Sequence, residues 1–381
     1  MSSRVGRFPA AGSGPMNSTK RIHLILAPKE RFEAEGAGAF ALITLETSLT
    51  SRWRNEITVF GTPVPHPFAS VSFRPLALPR WPLRGRNREM ARRYVAAVRH
   101  APPDLVEVYN RPVMIDHLRR KLAGKPIILH FANDPRGMDG SRSVAERSKL
   151  LAQCDAIVCV SDFIRRCFLD GVDDPLSRRV VVIHIGVPAP ETFPERKQKY
   201  VVFVGRVIPD KGVLELVQAL VRVLPRHPEW TAEVIGARWF KAGDPPNSYE
   251  KEVARVAAQC TQIRLAGFRP HADVVAALGK ASVAVVPSKW DDPFPRSAVE
   301  ALAAGCALVC SRNGGLAEIG ANRARFLDEV TAESIAVALE ELLSNDNERT
   351  VLQHRGFDDS PFDIRRTTGL LDDLRESLMT V

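Results

Sequence analysis

The chain has 381 residues, 53 Lys/Arg against 44 Asp/Glu, a net charge of +9 and 45% hydrophobic residues. That length suits about two domains of ordinary globular composition, and no apolar run is long enough to span a bilayer. The six cysteines form no C-x-x-C pair and have no histidine at metal-ligand spacing, which speaks against a zinc module and for buried thiols in a reducing compartment.

Residues 1–19 are rich in Ser, Gly, Pro and Arg and lack the apolar stretch of a secretory signal, so a disordered tail is expected there. From Arg21 onward, apolar runs alternate with helical patterns, the signature of parallel sheets wound with helices. Strands are predicted at Arg21–Ala27, Glu56–Phe60, Ser70–Phe73, Asp104–Val108, Pro126–Phe131, Ala156–Val160 and Val180–Ile185. After Val187–Pro194, which holds three prolines, they resume at Tyr200–Val204, Thr231–Ile235, Ile263–Ala266, Ser282–Val286 and Ala307–Cys310. The proline-rich stretch reads as a linker over 188–198, between a first domain at 20–187 and a second at 199–356. Residues 357–381 carry Ile364, Leu370, Leu371, Leu374 and Leu378 at helical spacing and are expected to form a helix packing back across the domains. The fold class is α/β: two doubly wound, Rossmann-like domains facing each other across a cleft, with ligands at the carboxyl ends of both sheets.

Charge is uneven. Residues 1–194 hold 29 Lys/Arg against 18 Asp/Glu, whereas 195–381 hold 24 against 26. A basic first half implies an anionic partner, nucleic acid or a membrane surface. No nucleic-acid module or aromatic stacking platform accompanies it, so nucleic acid is set aside. Arg80, Arg84, Arg86, Arg88, Arg92 and Arg93, interleaved with Trp81, Leu83 and Tyr94, suit anionic lipid headgroups; an arginine-rich solvated helix is the competing reading.

The second domain opens with a strand, then Gly205-Arg206-x4-Lys211-Gly212. Two cations in the loop at a strand's carboxyl end, next to a helix amino terminus, suit a diphosphate: guanidinium binds phosphate oxygens bidentately and lysine adds a point charge. In the first domain Gly36 and Gly38 precede a helix and remove side chains where backbone amides could approach a phosphate or sugar. His130 ends a strand and is followed by Asn133 and Asp134, an imidazole and a carboxylate at the cleft-facing edge. Asp292 and Glu300 lie eight positions apart in Pro287-Ser288-Lys289-Trp290-Asp291-Asp292-Pro293-Phe294-Pro295-Arg296-Ser297-Ala298-Val299-Glu300, a loop that enters a helix after an apolar strand. Gly314-Gly315 follows the next strand, with Glu318 near the start of the following helix.

In order and spacing, Gly205-Arg206-x4-Lys211-Gly212, Pro287-Ser288, Asp292-Pro293-Phe294 with Glu300-Ala301, Ala303-x-Gly305 and Gly314-Gly315 resemble the family 4 glycosyltransferases, which are retaining, metal-independent enzymes of the GT-B fold. Leu129–Pro135 and Cys154–Ser161 are similar to bacterial members that build lipopolysaccharide or exopolysaccharide. The resemblance implies that Arg206 and Lys211 neutralise the donor diphosphate, Glu300 holds the ribose hydroxyls, and Asp292 binds the donor sugar near its reacting carbon. It implies that His130 contacts the sugar beside the anomeric centre, that Gly36 and Gly38 close over the phosphates, and that Gly205, Phe294, Ser297, Gly314 and Gly315 complete the donor site. Asn133 and Asp134 stand on the acceptor side. The expected partners are a nucleotide-sugar donor, UDP-sugar before GDP-mannose, and a glycan or glycolipid acceptor; no metal or other cofactor is expected. The expected placement is cytoplasmic, peripheral on the inner face of the membrane.

Two departures stand out. Aspartate replaces the commoner glutamate at 292, and Pro295 replaces a glycine whose region gives backbone amides to the sugar in the family; proline has no amide hydrogen. An epimerase-like enzyme of the same fold and a non-catalytic sugar-nucleotide-binding protein are the rival readings.

Overall fold

The computed structural model describes residues 20–34, 37–82, 85–188, 197–239, 245–355 and 360–380. The expected tail at 1–19 and most of the expected linker lie outside the described residues. The first sheet comprises β1 (Ile22–Ile25), β2 (Ile57–Gly61), β3 (Ser72–Pro75), β4 (Leu105–Tyr109), β5 (Ile127–Phe131), β6 (Ala156–Cys159) and β7 (Val180–Val182). The second comprises β8 (Gln198–Val204), β9 (Thr231–Ile235), β10 (Ile263–Gly267), β11 (Ala281–Val286), β12 (Ala307–Cys310) and β13 (Ala324–Phe326). Every expected strand is present, and β13 is added to them.

Strand order is β3-β2-β1-β4-β5-β6-β7 in the first sheet and β10-β9-β8-β11-β12-β13 in the second. All pairings are parallel. Parallel strands need crossover helices, which cover both faces, so the central strands must be apolar throughout. Accordingly β4, β5 and β11 are buried at every residue. Each sheet reverses direction of winding once, at β1/β4 and at β8/β11, and the crevice at the carboxyl ends of those strands is the natural ligand site.

The crossovers of the first sheet are α1 (Ala39–Thr50), α2 (Arg86–Val98), α3 (Ile115–Lys121), α4 (Val144–Gln153) and α5 (Asp162–Leu169). Those of the second are α6 (Val213–Val223), α7 (Ser248–Ala257), α8 (His271–Lys280), α9 (Arg296–Ala303) and α10 (Leu316–Gly320), followed by α11 (Ala332–Ser344) and α12 (Asp346–Arg355). Reciprocal Ser143–Glu146 and Asn247–Glu250 capping boxes start α4 and α7. The last helix, α13 (Ile364–Met379), returns to the first sheet and packs on α1 and β4. There Arg375, fully buried, holds Glu107 of β4 at 2.6 Å and Asp372 at 2.8 Å.

Phe294, at the head of the loop into α9, stacks on His184 and meets Phe362 edge-on, so the apolar core runs without a break from one sheet into the other. The six cysteines are buried and unpaired. Among the described residues no helix is long and apolar enough to cross a membrane.

Candidate active site

The second sheet supplies two loops at its switch point. After β8, Gly205 donates its amide to the Ile235 carbonyl at 3.1 Å, and its own carbonyl lies where any side chain at Gly236 would collide with it. Arg206 follows, half-buried and without an ion-pair partner among the described residues. A short 3-10 turn, Pro209–Lys211, leads to Gly212, whose left-handed backbone (φ +66°) and close approach to the Pro287 carbonyl admit no side chain. Lys289 N–H donates to the Asp210 carbonyl at 2.8 Å, which fastens this loop to the one after β11.

The result is a buried ion pair. Lys211 Nζ bonds Asp292 Oδ2, with Ser288 Oγ 3.3 Å from the same oxygen and the Trp290 ring centroid 5.7 Å from the ammonium. Asp292 is 5% exposed. Gly314 (φ +60°) and Gly315 leave room for the Asp292 and Pro293 carbonyls, and Gly315 N–H donates to the Asp292 carbonyl at 2.8 Å. The two glycines were expected to approach the donor; here they pack on the acidic loop and hold it in place.

Glu300 projects from α9 one turn after Arg296. Its Oε1 accepts from Arg296 Nε at 2.6 Å and from His271 Nε2 at 2.7 Å, leaving Oε2 without a hydrogen-bond partner among the described residues. Burial by itself would raise this carboxyl, but His271 and Arg296 outweigh it and hold the group below the usual carboxylate range. An ionised carboxylate with one open oxygen can accept hydrogen bonds from a vicinal diol. Ser297, half-buried in the same helical turn, makes no side-chain hydrogen bond among the described residues. Arg296 also reaches across to Glu46 of α1, so the first domain touches this part of the site directly.

On the first-domain side, His130 is 7% exposed and lines a small cavity with Phe40 and His184; its Nε2 is 2.8 Å from Glu107 Oε2 and its ring stacks on Tyr109 at 4.2 Å between centroids. Burial pushes the Glu107 carboxyl up, yet Arg375 and His130 reverse this and bring it to about 2, and the imidazole, the carboxylate and the guanidinium form one internal hydrogen-bonded network. Gly36 lies outside the described residues. At Gly38, the N-cap position of α1, the space beside the backbone is filled by Glu30, whose Oε2 would lie 2.8 Å from an added Cβ. The glycine there makes room for this chain's own carboxylate. Asp134 caps a 3-10 turn and pairs with Arg136 at 2.8 Å, while Asn133 is exposed beside it. Phe294, expected at the donor, forms the interdomain aromatic contact already described.

Glu318 caps a helix, but on the opposite domain. It accepts from the Asp162 and Phe163 amides at 2.8 Å, at the start of α5, and lies 3.3 Å from His184. Ser161 Oγ donates to the Pro293 carbonyl at 2.8 Å, fixing the acidic loop from the same direction. Arg296, His271 and Glu46 were not singled out by sequence; their partners lie up to 250 positions apart.

Of the arginine patch, Arg80, Arg86, Arg88, Arg92 and Arg93 are exposed, and Arg84 lies outside the described residues. Glu89 takes Arg92 and Arg93, each at 2.9 Å, while Trp81 is 81% exposed beside Arg80.

Residues 189–358, which contain the whole second-sheet constellation, match the family model described as glycosyl transferases group 1. Spore coat protein SA of Bacillus subtilis is 28% identical over 269 residues, which cover 65% of this chain and 70% of the relative. Glycogen synthase of Mycobacterium tuberculosis is 31% identical over 188 residues, 47% of this chain and 42% of the relative. The matches take in only 53–70% of the lengths of the first curated relatives. The crystal structure of Anabaena HepE in complex with UDP and glucose superposes over 94% of this chain and 100% of its own, with a TM-score of 0.73 at 16% identity. The fold is therefore GT-B, two Rossmann-like units facing across a cleft.

Proposed function

We propose that the protein is a retaining glycosyltransferase that moves a hexose from a nucleotide-diphosphate sugar to a lipid-linked, lipopolysaccharide or exopolysaccharide acceptor. The observation that carries this reading is the convergence of Arg206, the Lys211–Asp292 pair and Glu300 at the β8/β11 switch point, within the stretch that matches glycosyl transferases group 1. UDP is the favoured nucleotide, supported by the UDP and glucose complex of the similar HepE structure; GDP-mannose stands second.

Breaking the anomeric bond to diphosphate places negative charge on the leaving group and positive charge on the sugar. Arg206 and Lys211 stabilise the first, and the Asp292 carboxylate and nearby carbonyl dipoles the second. Lys211 has three donors, so its bond to Asp292 leaves others for phosphate oxygens. Glu300 Oε2 binds the ribose hydroxyls, with Arg296 and His271 fixing the carboxylate. Attack on the face from which diphosphate departs lets the leaving group accept the acceptor hydroxyl's proton, so no protein nucleophile is assigned. His130 enters no step. Catalysis rests on these side chains, with no metal assigned a part.

We place the enzyme in the cytoplasm, resting on the inner face of the membrane through the arginine patch. Thermal shift of the full chain against a panel of nucleotide sugars tests the donor site, because a ligand that binds the folded state raises the melting temperature by mass action. A UDP-sugar should give the largest shift and a glycoside product with added acceptor. A panel without any stabilising nucleotide sugar would overturn the reading, and a free isomerised sugar as product would turn it to an epimerase.

A further inference from the structure

We infer that the acceptor carries a phosphate group, bound in a basic cavity of the first domain that is separate from the donor constellation. This rests on the glycosyltransferase reading. The cavity, about 340 Å³, opens at the carboxyl ends of β1 and β4, where the first sheet makes its own reversal. It therefore occupies, in the first domain, the position that the Lys211–Asp292 site occupies in the second. Lys29, Arg86 and Arg111 line it together with Asn87 and Asn110. The acid on its wall, Asp139, is taken by Arg142 at 2.8 Å.

The cations are placed by the fold. Asn110 ends β4 in the left-handed region (φ +52°), a conformation that asparagine tolerates better than most residues. Its Oδ1 accepts from the Ala132 amide at 2.9 Å, so the turn is locked to the end of β5. Arg111 comes next and is held by one bond, Nη1 to the Asn110 carbonyl at 2.5 Å, with the rest of its fork uncommitted among the described residues. Burial lowers the Arg111 pKa, and the neighbouring Glu30, lodged at the start of α1, works against this. Lys29 and Arg86 have no acidic partner among the described residues, so a net positive charge faces the cavity even after Glu30 is counted. Arg86 and Asn87 also form the first turn of α2, a helix of 13 residues whose N-cap, Gly85, offers no side chain to its amides. Amides left unpaired at a helix start add to the attraction for an anion.

Guanidinium and ammonium groups around a cavity of this size fit a phosphate ester of a small molecule. A sugar phosphate and the phosphate end of a lipid carrier share that chemistry. Calorimetric titration of the full chain with hexose 6-phosphate and with a short-chain polyprenyl phosphate, each beside its unphosphorylated counterpart, separates the two sources. At least one phosphate ester should bind tenfold or more tightly than its free alcohol, and Lys29→Gln and Arg111→Gln should each erase most of that preference. UDP affinity should change less than twofold in both variants. Lys29 is exposed, so its variant keeps the test sound if Arg111→Gln fails to fold. Phosphate esters that bind no better than their alcohols, or a preference untouched by Lys29→Gln, would overturn the proposal. Loss of nucleotide-sugar binding in the wild-type protein would instead overturn the donor reading, and the phosphate titration would still report on the cavity.

Discussion

Arg296 on α9 grips Glu46 on α1 across the domain boundary: its Nη2 lies 2.6 and 2.8 Å from the two carboxylate oxygens, while its Nε holds Glu300 at 2.6 Å. The arginine is 8% exposed; among the described residues it is the one cation on Glu46, and it shares Glu300 with His271. Replacing it by methionine leaves two carboxylates facing an apolar chain, and loss of one partner from a buried pair costs about 3–5 kcal/mol. Arg296→Met should lower the urea midpoint accordingly and raise the donor KM more than it lowers kcat, because Glu300 is released rather than removed. A double-mutant cycle with Glu46→Gln should show coupling of at least about 0.5 kcal/mol, as contacting residues do. Strict additivity would mean that the pair contributes nothing between the domains.

The two cations of the donor loop should behave differently. Arg206→Ala and Lys211→Ala should each reduce turnover by a factor on the order of a hundred, the scale for losing one charge-stabilising group. Only Lys211→Ala strands a buried partner, Asp292, so it alone should also destabilise the fold, by roughly 3 kcal/mol. Arg206→Ala should stay within about 0.5 kcal/mol of wild type. Adding Asp292→Asn to Lys211→Ala should recover stability without recovering transfer. Steady-state kinetics beside urea unfolding separates these effects, and near-normal transfer by either single variant would remove these residues from the chemistry.

The strands could be read from sequence because a parallel sheet covered on both faces leaves unbroken apolar runs such as Ser282–Val286. β13 escaped because three half-buried residues, Ala324-Arg325-Phe326, carry no such signal. The loops that meet beyond β8 and β11 were legible as neighbours because their residues are close in sequence: Gly205 to Gly212, and Asp292 to Glu300. What could not be read was contact between distant segments. Glu107 meets Arg375 across 268 positions and Arg296 meets Glu46 across 250, and no periodicity encodes either pair. His130 shows the same limit: its partner, Glu107, lies on the neighbouring strand, which an end-of-strand position alone does not reveal. Phe294 was read with the acidic loop around it, whereas its ring turns to His184 and Phe362.

Acid should unfold the first domain in two stages. Burial, aided by Arg21 and Arg74, lowers His23 from 6.5 to about 4, so the imidazole is neutral in the fold and takes up a proton more readily once unfolded. Stability should therefore fall as pH drops from about 6.5 toward 4. Glu107, depressed from 4.5 to about 2, stabilises the fold above pH 4.5, and that contribution disappears as pH drops through about 2. Each shift corresponds to roughly 3 kcal/mol at most. Urea midpoints measured between pH 7 and 2 should show both declines. Glu107→Gln, although less stable throughout because Arg375 loses one of its two carboxylate partners, should lack the second; an unchanged low-pH slope in that variant would place the titration elsewhere.

Membrane attachment should depend on the free members of the arginine patch. Glu89 already neutralises much of Arg92 and Arg93, and Arg86 lines the first-domain cavity, leaving Arg80, Arg88 and the exposed Trp81 to meet lipid. In vesicle flotation at low salt, wild type should bind vesicles containing anionic lipid and detach as salt rises, since each basic residue near such a surface contributes about 1 kcal/mol. Arg80→Glu with Arg88→Glu should lose most of this binding, and Arg92→Ala should lose little. Equal binding to neutral vesicles would show that charge does not drive the attachment.

Pro295 is the point at which the donor loop departs most from the pattern it resembles. It occupies the N-cap of α9 with φ −68° and ψ 111°, and its carbonyl accepts from the Ala298 amide at 3.0 Å. A proline ring fits this backbone without strain, but it removes an amide hydrogen at a helix start between Asp292 and Glu300, where a donor sugar would be met. Pro295→Gly returns that amide and loosens the unfolded chain less favourably for folding, so it should cost about 0.4–1 kcal/mol of stability. A regained hydrogen bond contributes about 0.5–1.5 kcal/mol, so the donor Kd should tighten by roughly two- to tenfold if a sugar oxygen lies within reach. Comparing wild type and Pro295→Gly across UDP-sugars tests which sugar gains: those with a hydroxyl at the matching position should improve while UDP alone does not. Uniform affinities across the panel would show that the proline sets the shape of the loop and leaves sugar choice to other residues.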